Sequence, residues 1–260
     1  MKPRSLWAYG VVARGDELKP EKPDISGGKD FLWVRTATLS ALASYVPDTE
    51  YNEDTLAKQQ NNPQWIIDKV QACVSVVAFI SSRRVIIPFR FGSVFSTEQS
   101  LKEKLDRHSH VFHELLQRLA GTEEWGVKVF ASVASQAQQM VEGTLDQAAK
   151  SGMSPGRLYM LKKQLLASAL SDAQRDLKER ADRIHQSLVT MTSAHQPGRP
   201  AIEPPNADKS ICLMKSSYLV PNSNLSQFLA QIEDLTGRYE NLHIQVSGPW
   251  APYSFCHMDV

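Results

Sequence analysis

Cysteine is scarce in this chain of 260 residues, which holds only Cys73, Cys212 and Cys256. They are odd in number, far apart and without a Cys-x-x-Cys pair, so neither a disulfide framework nor a cysteine metal site is indicated. Net charge is nearly absent too. With 29 Lys and Arg against 28 Asp and Glu, no global field draws the chain to nucleic acid or to an anionic lipid membrane, and neither is an expected partner. Long apolar runs are also missing. The run over residues 74–80, Val-Ser-Val-Val-Ala-Phe-Ile, falls far short of the roughly 20 residues of a membrane helix, so no bilayer-spanning segment is expected. Residues 6–12 follow Lys2 and Arg4, yet their aromatics and glycine suit a first strand better than a signal sequence. The expected compartment is the cytoplasm. What remains, at 42% hydrophobic residues, is an ordinary globular composition on a chain long enough for two modest cores.

Recognisable catalytic machinery is missing as well. There is no Gly-x-Ser-x-Gly elbow, and no Cys and His arrangement stands out as nucleophile and base. Gly27-Gly28-Lys29-Asp30 precedes a strand, whereas a phosphate loop follows one and opens a helix, so this stretch reads as a flexible turn. Glu123-Glu124 lie at a strand start, where neighbouring side chains point to opposite faces. No cofactor and no catalytic residue is assigned. His110, His113 and Glu114 share one side of a helix at three- and four-residue spacing and form the best metal constellation in the chain. Their spacing is not that of a zinc protease and no further ligand is evident, so they read as a solvated helix face and no metal is assigned. A cytoplasmic metal-dependent enzyme or ligand sensor using these three residues is the alternative function. His108, nearer the apolar face, reads as a packed core histidine.

Apolar periodicity predicts a mixed order of elements. Residues 6–12 and 31–36 read as strands separated by a surface loop, and residues 39–46 suit either a third strand or a short helix. Asn62-Pro63 starts a helix carrying Ile66, Val70, Cys73, Val77 and Ile80 on one stripe. Residues 85–91 return as a strand. A helix follows to Leu119, with Ser96 and Gln99 fitting a capping box, and residues 124–131 form the next strand. Residues 132–150 and 155–190 read as two helices, the second roughly 50 Å long at 1.5 Å per residue. Its narrow seam of Leu158, Leu161, Leu165, Ala169, Ala173, Leu177, Ile184 and Leu188 implies one facing helix, hence a helical hairpin. Residues 195–208 read as a linker, followed by a strand over 211–220, a helix over 225–235 and a last strand over 242–246. The order predicts an α+β fold with antiparallel sheets covered on one face by helices. Two domains are expected, over residues 1–92 and 93–260, with the helical extension at about residues 132–190.

Three stretches are more distinctive. Pro88-Phe89-Arg90-Phe91-Gly92 and Glu124-Trp125-Gly126-Val127-Lys128-Val129-Phe130 alternate apolar side chains with a cation or glycine, which suits either core strands or a contact surface. Gly248-Pro249-Trp250-Ala251-Pro252-Tyr253-Ser254-Phe255 is a stiff apolar extension that must dock on the protein's own core or on a partner. Because it follows a strand directly, Trp250 and Tyr253 are expected to pack against the second domain.

In order, Leu6-Trp7-Ala8-Tyr9-Gly10-Val11-Val12, Trp65, Pro88-Phe89-Arg90-Phe91-Gly92-Ser93-Val94-Phe95, Glu124-Trp125-Gly126-Val127-Lys128-Val129 and the Gly248 to Phe255 stretch resemble the gas vesicle protein L/F family over nearly the whole chain. Members often carry a histidine where Cys73 stands here, so any role of that histidine does not transfer. The resemblance implies two ferredoxin-like domains, the second with a helical hairpin extension. It also implies an accessory or minor structural protein of the gas vesicle, a cytoplasmic organelle, without catalytic residues. The implied partners are the major shell protein and other gas vesicle accessory proteins. Shell subunits with apolar inner surfaces need cover before assembly, and Arg90, Phe91, Trp125, Trp250 and Tyr253 are the candidate contact residues.

Overall fold

A computed structural model describes residues 4–59, 61–199 and 210–256. They fall into two compact units, one built from the chain up to Glu124 together with residues from Pro249 onward, the other from Trp125–Gly248.

The first unit is organised around β1 (Arg4–Ala13), with Leu6, Trp7, Ala8, Tyr9, Val11 and Val12 all buried. Burial on both faces explains its unbroken apolar run. It pairs antiparallel with β3 (Leu39–Pro47), which pairs with β2 (Phe31–Arg35). Ladders to both neighbours settle residues 39–46 as a strand, tertiary packing overriding the helix preference of Ala41 and Ala43. On its other side β1 meets β4 (Ile87–Pro88) and β5 (Val94–Phe95), giving the order β2-β3-β1-β4. The register shifts between Ala8 and Gly10. A Cβ on Gly10 would lie 2.7 Å from the Ile87 carbonyl oxygen, so the strands close there only around glycine.

The strand expected over residues 85–91 contracts to Ile87–Pro88. Pro88 has no N–H to continue a ladder, and a turn follows in which Ser93 N–H donates to the Arg90 carbonyl and Gly92 adopts φ +89°.

Helices α1 (Asp48–Tyr51) and α2 (Glu53–Gln59) lead to α3 (Pro63–Ser81), where the Asn62 side chain accepts from Trp65 N–H at 3.2 Å. Cys73, Val76, Val77 and Ile80 of α3 join Trp7, Tyr9 and Leu42 in the first core. Among the described residues, α3 alone is long and apolar enough to cross a membrane by length and composition. Its Cys73, Val76, Val77 and Ile80 are spent on the first core, and the core helix of a globular unit meets the same length and composition.

The helix expected up to Leu119 is broken at His108, giving α4 (Glu98–Arg107) and α5 (Ser109–Leu119). Its cap is Thr97 with Ser100, not Ser96 with Gln99. His108 is half-buried at the junction. Leu101, Leu105, Phe112 and Leu119 are buried within the first unit. The division expected after residue 92 therefore falls at Glu124, because these two helices need the first sheet to cover their apolar faces.

The second unit follows the order β6 (Thr122–Ala131), α6 (Val133–Lys150), α7 (Pro155–Val189), β7 (Ala194–Pro197), β8 (Ile211–Pro221), α8 (Leu225–Arg238) and β9 (His243–Trp250). Its sheet order is β7-β8-β6-β9. Val127 and Val129 of β6, Leu177, Ile184 and Leu188 of α7, Tyr218 and Val220 of β8, and Phe228 and Ile232 of α8 form its core. Part of the expected linker is the strand β7, antiparallel to β8 with His195 opposite Tyr218. Residues 200–208 of that stretch lie outside the described residues. The expected helical hairpin is present as α6 and α7, with Ala137 and Val141 packed on Ala169 and Ala173 and Gly152 at φ +80° in the connection. Small residues let the two helices approach closely. On α7 full burial begins at Ala169, while Leu158, Leu161 and Leu165 nearer the hairpin tip are half-buried.

Candidate functional site

The loop between β1 and β2 is pinned, unlike the flexible surface turn expected there. The buried Asp24 carboxylate accepts from Ser26 N–H at 2.8 Å, Ser26 Oγ at 2.6 Å, Gly28 N–H at 3.0 Å and Asp30 N–H at 3.0 Å. This is the local turn chemistry of an Asx motif, with Gly27 supplying φ +90°. The turn inserts Ile25 into the first core. There Ile25 N–H donates to Tyr9 Oη at 2.9 Å, and the Ile25 carbonyl accepts from Tyr51 Oη at 3.0 Å and Lys69 Nζ at 2.8 Å. The Ser26, Gly28 and Asp30 N–H groups are thereby taken up by the chain's own carboxylate.

The stretch after β9 also enters the first unit. Ala251 and Tyr253 pack with Trp7, Tyr9 and Cys73, and Phe255 is buried. Buried Glu124 accepts from Ser254 N–H at 3.0 Å and Ser254 Oγ at 2.6 Å, and Arg118 donates to the Phe255 carbonyl at 2.5 Å. The Tyr253 hydroxyl is buried with no hydrogen-bond partner among the described residues. Burial holds its phenol well above the ordinary range and pushes the Cys73 and Cys256 thiols up to about 11 and about 12. The expectation that Trp250 and Tyr253 pack on the second domain is thus corrected. Tyr253 belongs to the first core, and Trp250, on β9 at the edge of the second sheet, keeps 47% of its surface exposed.

The other candidate contact residues separate in the same way. Arg90 and Phe91 sit together on the turn after β4, Arg90 exposed and Phe91 41% exposed, with the Phe91 ring edge-on to Trp7 at 5.1 Å. Trp125 is half-buried against the core of the second unit. Phe91, Tyr159 and Trp250 are the exposed large aromatics among the described residues. Phe91 and Trp250 stand in distinctive sequence stretches. Tyr159 was missed, although its place off the Leu158, Leu161 and Leu165 seam is a signal in the sequence.

The candidate metal triad does not converge. His110 Nδ1 lies 3.5 Å from Glu114 on an open surface, while His113 Nδ1 faces the Ser109 carbonyl at 2.6 Å. Among the described residues no group of three or more His, Cys, Asp and Glu is placed to hold a metal ion. A different histidine pair is better organised. His185 Nδ1 is 2.7 Å from Tyr218 Oη, and the His185 and His195 rings meet edge-on at 5.0 Å. Burial, followed by the neighbouring His195, lowers the His185 pKa below 6.5.

The family profile described as gas vesicle synthesis protein GvpL/GvpF matches residues 5–257. Gas vesicle protein L of a Streptomyces strain is 28% identical over 257 residues, spanning 97% of this chain and 92% of that protein. Gas vesicle protein F of Haloferax mediterranei is 23% identical, over 98% of this chain and 95% of its own length. Relatives of both the L and the F kind are therefore matched. The crystal structure of GvpF from Anabaena superposes with a TM-score of 0.68 at 19% identity, covering 99% of this chain and 98% of that one. That of GvpF from Microcystis aeruginosa gives 0.66 at 18% identity, covering 98% and 99%. At these identities the likeness shows the fold, a mixture of helices and antiparallel sheet. None of the names denotes an enzyme.

Proposed function

Because the chain belongs to the GvpL/GvpF family of gas vesicle synthesis proteins, we propose that it binds the shell subunit and assists nucleation or assembly of the vesicle wall. Its place is the gas vesicle, as an accessory or minor structural protein without catalytic activity. Other gas vesicle accessory proteins are its further partners. The observation that carries this reading is the exposure of Phe91 and Trp250, at 41% and 47%, in a chain whose Trp7, Tyr9 and Tyr51 are fully buried. Aromatic side chains left in water beside a cation such as Arg90 suit the centre of a protein contact. Tyr253 packs on the first core and Trp125 on the second, each within its own unit. The element order of the second unit, a split β-α-β-β-α-β with two helices in its first crossover, supports reading it as ferredoxin-like. The first unit has the corresponding sheet order with residues 14–30 in place of a crossover helix.

Binding of the purified chain to the shell subunit by biolayer interferometry tests the reading. Wild type is expected to bind, and Phe91→Ser with Trp250→Ser to bind about tenfold more weakly while remaining cooperatively folded. Absence of wild-type binding, or unchanged binding by the double variant, overturns it.

A further inference from the structure

The segment from residue 147 to residue 171 contains Lys150, Arg157, Lys162 and Lys163 and no Asp or Glu. None of these cations has an ion pair among the described residues. Farther along α7 the pattern changes, with Arg175 paired to Asp172, Arg180 to Asp176 and Lys178 to Asp182. Two of these cations, Arg157 and Lys163, line a shallow groove of about 730 Å³ at the start of α7, together with Met153, Gly156, Met160, Leu161 and Gln164. Met160 is 64% exposed and Tyr159 beside it 66% exposed, the highest values of any large apolar side chains described. A Cβ on Gly156 would meet nothing within 4 Å, so the floor of the groove is open.

We propose that this groove docks an acidic amphipathic helix of a partner protein. On α7, residues 156, 157, 160, 161 and 164 recur at helical spacing along one face, with Met153 in the connection just before it, which suits the lengthwise contact of a helix laid in a groove. Methionine side chains adapt to an incoming apolar ridge. Arg157 and Lys163 then meet carboxylates flanking that ridge, whereas a basic segment is repelled. A flat bilayer surface would touch the cations and Tyr159 but would leave the concave floor unfilled. The groove is built from hairpin residues and uses neither Phe91 nor Trp250, so the inference stands independently of the shell-subunit reading.

Fluorescence anisotropy with the full chain and a labelled peptide about five helical turns long tests the proposal. The peptide carries Leu and Met on one face and Glu on both flanks; its twin carries Lys in place of Glu. The acidic peptide is expected to bind saturably and the basic one not. Met160→Gln should weaken the acidic peptide about tenfold. Arg157→Glu with Lys163→Glu should transfer the preference to the basic peptide, an outcome that an unfolded variant does not produce. Equal binding of the two peptides, or wild-type affinity in the variants, overturns the proposal. So does phosphatidylglycerol vesicle binding without peptide binding, or self-association of the chain that Met160→Gln abolishes. Such a failure leaves the shell-subunit reading intact, since that rests on Phe91 and Trp250.

Discussion

Replacing Asp24 probes four hydrogen bonds gathered on one buried side chain. Its two oxygens accept from the Ser26, Gly28 and Asp30 N–H groups and from the Ser26 hydroxyl. Hydrogen bonds to a charged group contribute about 1.5–3 kcal/mol each, and they are not additive because freed donors in a loop regain water. Asp24→Ala is therefore expected to cost about 3–5 kcal/mol, the scale seen when a buried polar network is broken. Asp24→Asn isolates part of that loss. Its single amide oxygen can keep the contacts made by Oδ1, but its NH2 group faces the Asp30 N–H, donor against donor. The expected cost is about 1–3 kcal/mol. Urea unfolding followed by intrinsic fluorescence measures both variants. Amide hydrogen exchange at Ser26, Gly28 and Asp30 should accelerate in each, and exchange at Ile25 should follow because its bonds to Tyr9, Tyr51 and Lys69 depend on the turn. A loss below about 1 kcal/mol in Asp24→Ala, or equal losses in the two variants, would refute the reasoning.

Other perturbations report on separate parts of the molecule. Tyr253→Phe removes a buried hydroxyl without a partner, so the thermal midpoint should hold or rise, whereas Tyr253→Ala should cost about 3–5 kcal/mol through the cavity it leaves. Gly10→Ala forces a Cβ to 2.7 Å from the Ile87 carbonyl oxygen, and should cost more unfolding free energy than the roughly 1–3 kcal/mol common for overpacking. His185 is a base whose folded pKa lies below its ordinary 6.5. Its contribution is fully present above that value and is lost as pH falls through 6.5 toward the folded pKa. Unfolding midpoints measured from neutral pH downward should show this loss. His185→Asn, which does not titrate, should flatten the part of the profile due to His185.

Strongly periodic elements were legible because their residues decide them locally. The Asn62-Pro63 start of α3 and the small-residue seam of the hairpin need no knowledge of distant partners. Residues 39–46 stayed ambiguous because Ala serves helix and strand alike, and only pairing with β1 and β2 decides. Asp24 was opaque for a different reason. A Gly-rich acidic stretch has the same composition whether it is solvated or folded around one carboxylate. Of the candidate contact residues, the exposure of Trp250 and the burial of Tyr253 were not separable, since both sit in one apolar stretch. Tyr159 escaped notice because a helix seam directs attention inward, and side chains off the seam are read as solvated by default.

The first unit is completed by residues that follow the second in sequence, with Ala251 and Phe255 buried in it. Translation gives that arrangement a direction in time. At about 5–20 residues per second, the ribosome takes roughly 6–25 s to pass from Glu124 to Pro249. During that interval the nascent first sheet lacks the plug that seals it, while the second unit, contiguous in the chain, is free to fold on emergence. A chain stalled anywhere within Trp125–Gly248 leaves the first core open and its apolar surface available to chaperones and proteases. Sealing of the first unit thus records that translation has run through Phe255.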